Sequence, residues 1–408
     1  AAQCAPHSQP DCQPMHRIKT YNALSSKGLE RFDPEWFEVG EGVDDPNAIL
    51  LRSHKLQEAE IPDSVAAIAR AGAGVNNIPV ALCSERGIPV FNTPGANANA
   101  VKELVAAAML LASRDIVGGI AFARDQDVSL PQADFSALME REKKRFAGAE
   151  LAGKTLGVVG LGAIGSLVAK LGLDFGMDVV GFDPALSVEA AWRLPSEVQR
   201  MKDVQTLLGR SDFISLHLPV LDSTRGLINA EMLKHFRPGS CLVNFAREEI
   251  VATEDLVEAL NSGTLSRYVA DFPNPLLLGR DDTILMPHIG ASTAEAEENC
   301  AVMAANQLKA FLEHGNIRNS VNFPTIELER TTDFRITISN QNEPGMLSHI
   351  LTLIGEDGLN VADLLNKSVG NIAYNIIDLD GVPKETLLAQ IRGLDGVLNL
   401  RVIGGVSH

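Results

Sequence analysis

The sequence predicts an α/β fold, with two doubly wound parallel-sheet domains followed by a small C-terminal βαββαβ domain. Three observations carry that expectation. Val/Ile/Leu-rich runs without alternation recur through the middle third, as parallel strands covered on both faces require. Helical stretches lie between most of them, which is the rhythm of a doubly wound sheet. Residues 334–403 then read strand, helix, strand, strand, helix, strand, the ferredoxin-like order.

The chain of 408 residues holds roughly two to three domains. With 35 Lys and Arg against 52 Asp and Glu, its formal charge is −17. So acidic a balance argues against broad nucleic-acid binding. A local basic pocket for a small anion remains compatible with it. No run of 18 apolar residues is present, so no membrane span is expected. The five cysteines form no CxxC pair and no zinc-type cluster, so no metal site is expected. Cys241 and Cys300 sit in apolar runs and read as small buried hydrophobes. A reducing, cytoplasmic setting follows as the expectation.

Residues 1–14 lack periodicity and read as a disordered tail or an appended segment. From Met15 to about 112, short strand-like runs (Ala48–Arg52, Ala66–Ala71, Pro89–Asn92) precede a long buried helix, Val101–Ser113. Together with residues 290–325 this stretch is expected to form the first domain. The polar segment 125–150 is expected to be exposed. The second domain, 113–289, carries strands at Thr155–Gly160, Asp178–Phe182, Phe213–His217, Cys241–Phe245, Tyr268–Ala270 and Thr283–Met286. A helical pattern from Thr293 to about Glu313 returns the chain to the first domain. After a linker at 316–330, residues 331–408 form the third.

The sharpest local signal is Gly160-Leu161-Gly162-Ala163-Ile164-Gly165. It follows a strand, opens a helix, and is followed 18 residues after Gly165 by Asp183 at the end of the next strand. That context makes it a Rossmann-like dinucleotide fingerprint rather than a chance glycine turn. Gly160 permits the tight turn, Gly162 the approach of a pyrophosphate, and Gly165 close packing of helix on sheet. The amides near Ala163 and Ile164 meet the phosphates. Asp183 accepts from the ribose hydroxyls and repels a 2′-phosphate, and Pro184-Ala185 offers no cation, so NAD is expected rather than NADP.

A second constellation is spread along the chain: Arg52, the loop Ala71–Gly74, Asn97, His217-Leu218-Pro219, Arg247, and Pro287-His288-Ile289-Gly290. With GLGAIG, NFAREEIV and PHIGAST, it makes the chain resemble the NAD-dependent D-2-hydroxyacid dehydrogenases. Within them it is similar to the phosphoglycerate-oxidising branch that ends in an amino-acid-binding ACT domain. The resemblance spans about residues 16–405.

The resemblance implies that His288 takes the substrate hydroxyl proton while hydride leaves C2, a task suited to imidazole near neutral pH. It implies that Arg247 holds the carboxylate and polarises the developing carbonyl. Arg52 and Ser53 then lie on the phosphate side, Ala73 and Gly74 offer amides to the carboxylate, and Asn97 matches a substrate-binding Asn. Lys144, between Lys143 and Arg145, is a further phosphate candidate, although such a run is more often a solvated face. Asp271 matches the residue that contacts the nicotinamide carboxamide. His217, Leu218 and Pro219 line its ribose, and Phe245, Ala246, Gly290 and Ala291 complete the cofactor side. Asn340, Asn342 and Asn360 match effector positions in ACT domains, for which L-serine is the expected ligand. A homodimer or homotetramer is implied.

Three positions depart from the family pattern. The glutamate that partners the catalytic histidine falls on Pro275, with Asp281 or Asp282 as substitutes. Glu248 replaces the glycine after the arginine, and Ala252 stands where an Asp is common. Two other readings therefore stay open: a dehydrogenase of another 2-hydroxy acid, such as 2-hydroxyglutarate, and a catalytically weakened NAD- and amino-acid-binding regulator.

Overall fold

The computed structural model describes residues 16–404. The expected tail at 1–14 lies outside them. Residues Ala98–Ala296 form one compact unit, and the described residues on either side of them form the other.

The first unit begins with five parallel strands: β1 (His16–Tyr21), β2 (Phe37–Gly40), β3 (Ala48–Leu51), β4 (Ala67–Arg70) and β5 (Val90–Phe91). Their order is β2-β1-β3-β4-β5, a doubly wound arrangement. Every residue of β3 is buried, which explains its unbroken apolar run. The second unit holds seven parallel strands: β6 (Thr155–Val159), β7 (Asp178–Phe182), β8 (Gln199–Arg200), β9 (Phe213–Leu216), β10 (Ser240–Asn244), β11 (Leu265–Ala270) and β12 (Thr283–Leu285). The order β12-β11-β10-β9-β6-β7-β8 reverses direction between β9 and β6. Ligands of such sheets sit at that reversal, beyond the carboxyl ends of the strands.

The C-terminal segment folds as β13 (Phe334–Gln341), the helix Met346–Glu356, β14 (Val361–Val369), β15 (Ile372–Leu379), the helix Glu385–Arg392, and β16 (Val397–Gly404). The antiparallel order β14-β15-β13-β16 agrees with the ferredoxin-like expectation. This sheet shares a core with the first one, because Tyr374 and Ile376 pack with Phe91, Phe311 and Phe323. Inside it, Arg335 and Asp378 are fully buried and joined by two hydrogen bonds of 2.6 and 2.9 Å. Arg335 also donates to the carbonyls of His314, Leu328 and Glu329, so one guanidinium ties the linker to the sheet.

The helix Ala98–Ser113 groups with the second unit, not with the first sheet. Its Val101, Val105, Ala108 and Met109 share a core with Val158 and Val168, the latter on the helix Ala163–Asp174. Apolar stripe and partner decide the grouping, which order in the chain does not reveal. The C-terminal sheet falls in the first unit. Segment 125–150 is largely exposed, as expected, but contains the helix Gln132–Glu142. Cys83, Cys241 and Cys300 are buried, and burial pushes the thiols of Cys83 and Cys241 up to about 11 and about 12, so they are poor nucleophiles. Among the described residues no single helix is long and apolar enough to cross a membrane. The helices Ala98–Ser113 and Ile116–Arg124 reach that length together but meet at 71°.

Candidate functional site

In the second unit the glycine loop follows β6 at the sheet reversal. Gly160 has φ +90°, and a Cβ there would lie 2.4 Å from the carbonyl oxygen of His217. A Cβ on Gly165 would lie 1.8 Å from the carbonyl oxygen of Gly160. These two glycines are therefore needed by the fold. Gly162 is different, since nothing lies within 4 Å of its absent Cβ. Open space in front of Gly162, at the start of the helix Ala163–Asp174, fits an approaching pyrophosphate. Ala163 and Ile164 occupy the first helical positions as expected.

Asp183 follows β7. Its Oδ2 accepts from the N–H of Leu161 at 2.8 Å and its Oδ1 from the N–H of Ala185 at 2.9 Å. Each oxygen keeps a lone pair for a ribose hydroxyl. Leu161, Gly181, Asp183, Leu186 and Leu194 line a cavity of about 620 Å³, large enough for the adenosine half of a dinucleotide. Arg200 of β8 lines it too, a cation that the two residues after Asp183 gave no sign of.

His217 follows β9 on the other side of the reversal. Its Nε2 pairs with Ser215 Oγ at 2.8 Å, while its buried Nδ1 meets no partner among the described residues. Burial pushes its pKa down to about 3, so the ring is neutral. Leu218 packs against the core that holds Ile214 and Leu216 of β9, and the Pro219 carbonyl accepts from the Thr224 hydroxyl.

Register then brings the remaining groups to one edge. Asn244 of β10 lies beside Ala270 of β11, which lies beside Leu285 of β12. Arg247, Asp271 and His288 leave the sheet just beyond those three positions. Arg247 is exposed, in extended backbone, with Nη1 on the carbonyl of Ala246 at 2.6 Å. Buried Asn244 shapes this turn: its Nδ2 donates to the carbonyl of Arg247 at 2.9 Å and its Oδ1 accepts from the N–H of Ala246 at 3.1 Å. Tyr268, whose hydroxyl burial pushes up to about 12, stands 3.3 Å from the same Nδ2. Sequence reasoning missed Asn244. A lone amide closing the apolar strand CLVN was the available signal, since buried polar groups need partners.

His288 has φ +57°, a left-handed conformation that few residues other than glycine adopt. Asp271, only 2 % exposed, explains how it is held. Its Oδ1 accepts from the N–H of Ile289 at 2.7 Å and its Oδ2 from the N–H of Gly290 at 2.6 Å. A Cβ on Gly290 would come within 2.9 Å of that Oδ2. The carboxylate assigned by resemblance to the nicotinamide is thus used to fix the turn that presents the histidine. The His288 ring packs against Phe272, with centroids 5.0 Å apart.

No carboxylate partner of His288 is found among the described residues. Asp282, offered as a substitute, is engaged by Arg280 in a two-bond pair at 2.8 and 2.7 Å. Glu248 turns to Asn274 instead, accepting from its Nδ2 at 3.0 Å. Asn274 also caps the short helix Pro275–Leu277.

In the first unit the strand ends again supply the candidates. Arg52 follows β3, and its carbonyl accepts from Arg70 Nε at 2.9 Å and Asn77 Nδ2 at 3.2 Å. Asn22 Oδ1 accepts from the N–H groups of Ser53 and His54 at 3.1 and 2.6 Å. The loop Ala71–Gly74 is held by Asn92 Nδ2 on the carbonyl of Ala73 at 2.6 Å and by Thr93 N–H on that of Gly72 at 3.0 Å. Its Ala73 and Gly74 N–H groups meet no acceptor among the described residues. Asn97 lies in the turn after β5, half-buried. Arg70, ending β4 beside Arg52, is a second guanidinium that sequence reasoning passed over as the tail of an apolar run.

Lys144 is exposed on the short helix Lys143–Phe146, where Lys143 pairs with Glu140 and Arg145 with Glu142. This is the internally paired, solvated face that charge runs usually form. In the C-terminal sheet Asn340 is 3 % exposed. Its Oδ1 accepts from Asn375 at 2.7 Å, and its Nδ2 donates to the carbonyl of Gln341 at 2.6 Å. Asn340 therefore shapes its loop with both ends of its amide. Asn342 and Asn360 are exposed.

Residues 106–290 match the family model described as the NAD binding domain of D-isomer specific 2-hydroxyacid dehydrogenases. A D-3-phosphoglycerate dehydrogenase of Haemophilus influenzae is 31 % identical over 90 % of this chain and 88 % of its own. A hydroxypyruvate reductase of Thermotoga maritima is 38 % identical over 64 % of this chain and 83 % of its own. The solved structure of an NAD+-bound 3-phosphoglycerate dehydrogenase from Entamoeba histolytica aligns with TM-score 0.59 at 25 % identity. It covers 76 % of this chain and 99 % of that one.

Proposed function

The chain belongs to the NAD-dependent D-isomer-specific 2-hydroxyacid dehydrogenases, and on that premise we propose that it oxidises 3-phospho-D-glycerate to 3-phosphohydroxypyruvate. The observation that carries this reading is a pair of guanidinium side chains, Arg52 after β3 and Arg70 at the end of β4, by the loop Ala71–Gly74, whose Ala73 and Gly74 N–H groups meet no acceptor among the described residues. A cationic site of that kind suits a substrate with two anionic groups.

The loop Gly160–Gly165, Asp183, His217–Pro219, Phe245, Ala246 and the residues after His288 hold NAD. When bound there, NAD would supply the acceptor for the hydride of C2. Arg247 binds the substrate carboxylate and draws electron density toward the oxygen on C2 as it becomes a carbonyl. His288 takes the hydroxyl proton, and Asp271 keeps its backbone in the conformation that presents the ring.

This activity opens L-serine synthesis, and L-serine is proposed as the amino-acid effector of the C-terminal domain, bound through Asn342 and Asn360 in an assembly of two or four subunits. The test compares phosphorylated with non-phosphorylated 2-hydroxy acids in the Arg52→Ala variant. A loss of about tenfold or more confined to phosphorylated substrates is expected. Equal losses on both classes would remove Arg52 as the phosphate reader.

A second reading, reduction of hydroxypyruvate, is favoured by one observation: Arg52 already pairs with Glu297. Hydroxypyruvate lacks the phosphate that would compete for that arginine.

A further inference from the structure

We propose that Glu297 sets the preference for a phosphorylated substrate, by competing with the substrate phosphate for the Arg52 guanidinium. The inference rests on the reading of Arg52 as the phosphate residue. Glu297 Oε1 lies 2.5 Å from Arg52 Nη2.

Each partner has an independent reason to be there. Glu297 stands in the first turn of the helix Ala294–His314, where the aligned peptide dipoles favour a negative charge. Arg52 springs from backbone that Arg70 and Asn77 hold fixed. Cys300, one turn further along the helix, lies within electrostatic reach of Arg52, Arg70 and Glu297.

The pair is open to water, with 41 and 42 % of the two side chains exposed. Ion pairs this exposed are weak, so a phosphate dianion can share or displace the contact. Doing so puts a like charge beside Glu297, which raises the energy of the phosphate-bound state. A substrate with a hydroxyl in place of phosphate meets no such repulsion. Glu297 therefore acts on the ratio between the two substrate classes, and Arg52 is the group through which it acts.

Glu297→Gln keeps the shape and removes the charge, and Glu297→Asp keeps the charge. NADH-dependent reduction of 3-phosphohydroxypyruvate and of hydroxypyruvate is measured for both variants and the parent. Inorganic phosphate is titrated as a competitive inhibitor of hydroxypyruvate reduction. In Glu297→Gln the KM of the phosphorylated substrate, relative to that of hydroxypyruvate, is expected to fall about fivefold, close to 1 kcal/mol. The inhibition constant of phosphate is expected to fall in parallel, and Glu297→Asp to keep the parental ratio. An unchanged or higher ratio in Glu297→Gln overturns the proposal. If the parent reduces hydroxypyruvate but not its phosphate ester, the substrate reading fails instead. The phosphate titration then still judges Glu297: no tighter inhibition in Glu297→Gln excludes the competition.

Discussion

Asp271 holds the backbone N–H of Ile289 at 2.7 Å and thereby fixes the left-handed turn in which His288 stands. Its other oxygen holds Gly290, so one buried carboxylate neutralises two backbone donors. Each such charge-assisted bond contributes roughly 1.5–3 kcal/mol. Replacing Asp271 with Ala is expected to lower kcat by about 100-fold and to abolish hydrogen-exchange protection at Ile289 and Gly290. Retained protection at both amides would show that the turn is held by other means.

His288 and Arg247 act on the reacting atoms, so their loss should appear in the chemical step. His288→Ala is expected to lower kcat by about 10²–10⁴-fold, the range for a general base. Arg247→Ala is expected to cost about 10²-fold or more. Steady-state rates with saturating NADH decide this, and near-parental turnover in either variant would remove that residue from the mechanism.

Pro275 occupies the place of a glutamate in the family pattern, and His288 contacts the Phe272 ring with no carboxylate partner among the described residues. Proline opens the short helix Pro275–Leu277, and its neighbour Asn274 supplies the cap, so glutamate fits the same backbone. Pro275→Glu is expected to raise kcat several-fold and to move the pH–rate profile toward higher pH, because a carboxylate favours the imidazolium. An unaltered profile would show that the new carboxylate does not reach His288.

His217 gives the chain an acid sensitivity. Its folded pKa, pushed down to about 3 by burial, lies below the ordinary value of 6.5. As pH falls below 6.5 the unfolded chain takes up a proton that the folded one refuses. Stability is therefore complete near pH 7 and declines continuously toward pH 3. Between pH 7 and pH 5 the loss from this group is about 2 kcal/mol. Urea unfolding at both pH values should show that loss in the parent, and a smaller one in His217→Gln.

Much of the fold was legible because parallel strands buried on both faces leave long apolar runs, as at Ala48–Leu51 and Ser240–Asn244. The two-residue strand Gln199–Arg200 was not legible, being exposed, polar and too short for any period to show. The unit boundaries were hidden for another reason. The helix Ala98–Ser113 looks like any buried helix, and only its partner, the helix Ala163–Asp174, decides where it belongs. The glycine fingerprint could be read because its spacing is dictated by close approaches along one short loop. The Glu297–Arg52 pair could not, since 245 positions separate the two residues and an acidic first turn is ordinary in any helix.

The central claim is most directly tested by following NADH consumption with 3-phosphohydroxypyruvate, with and without L-serine. The account predicts turnover of the phosphorylated keto acid that L-serine slows and that Arg52→Ala largely abolishes. Turnover of hydroxypyruvate with none of its phosphate ester would contradict it.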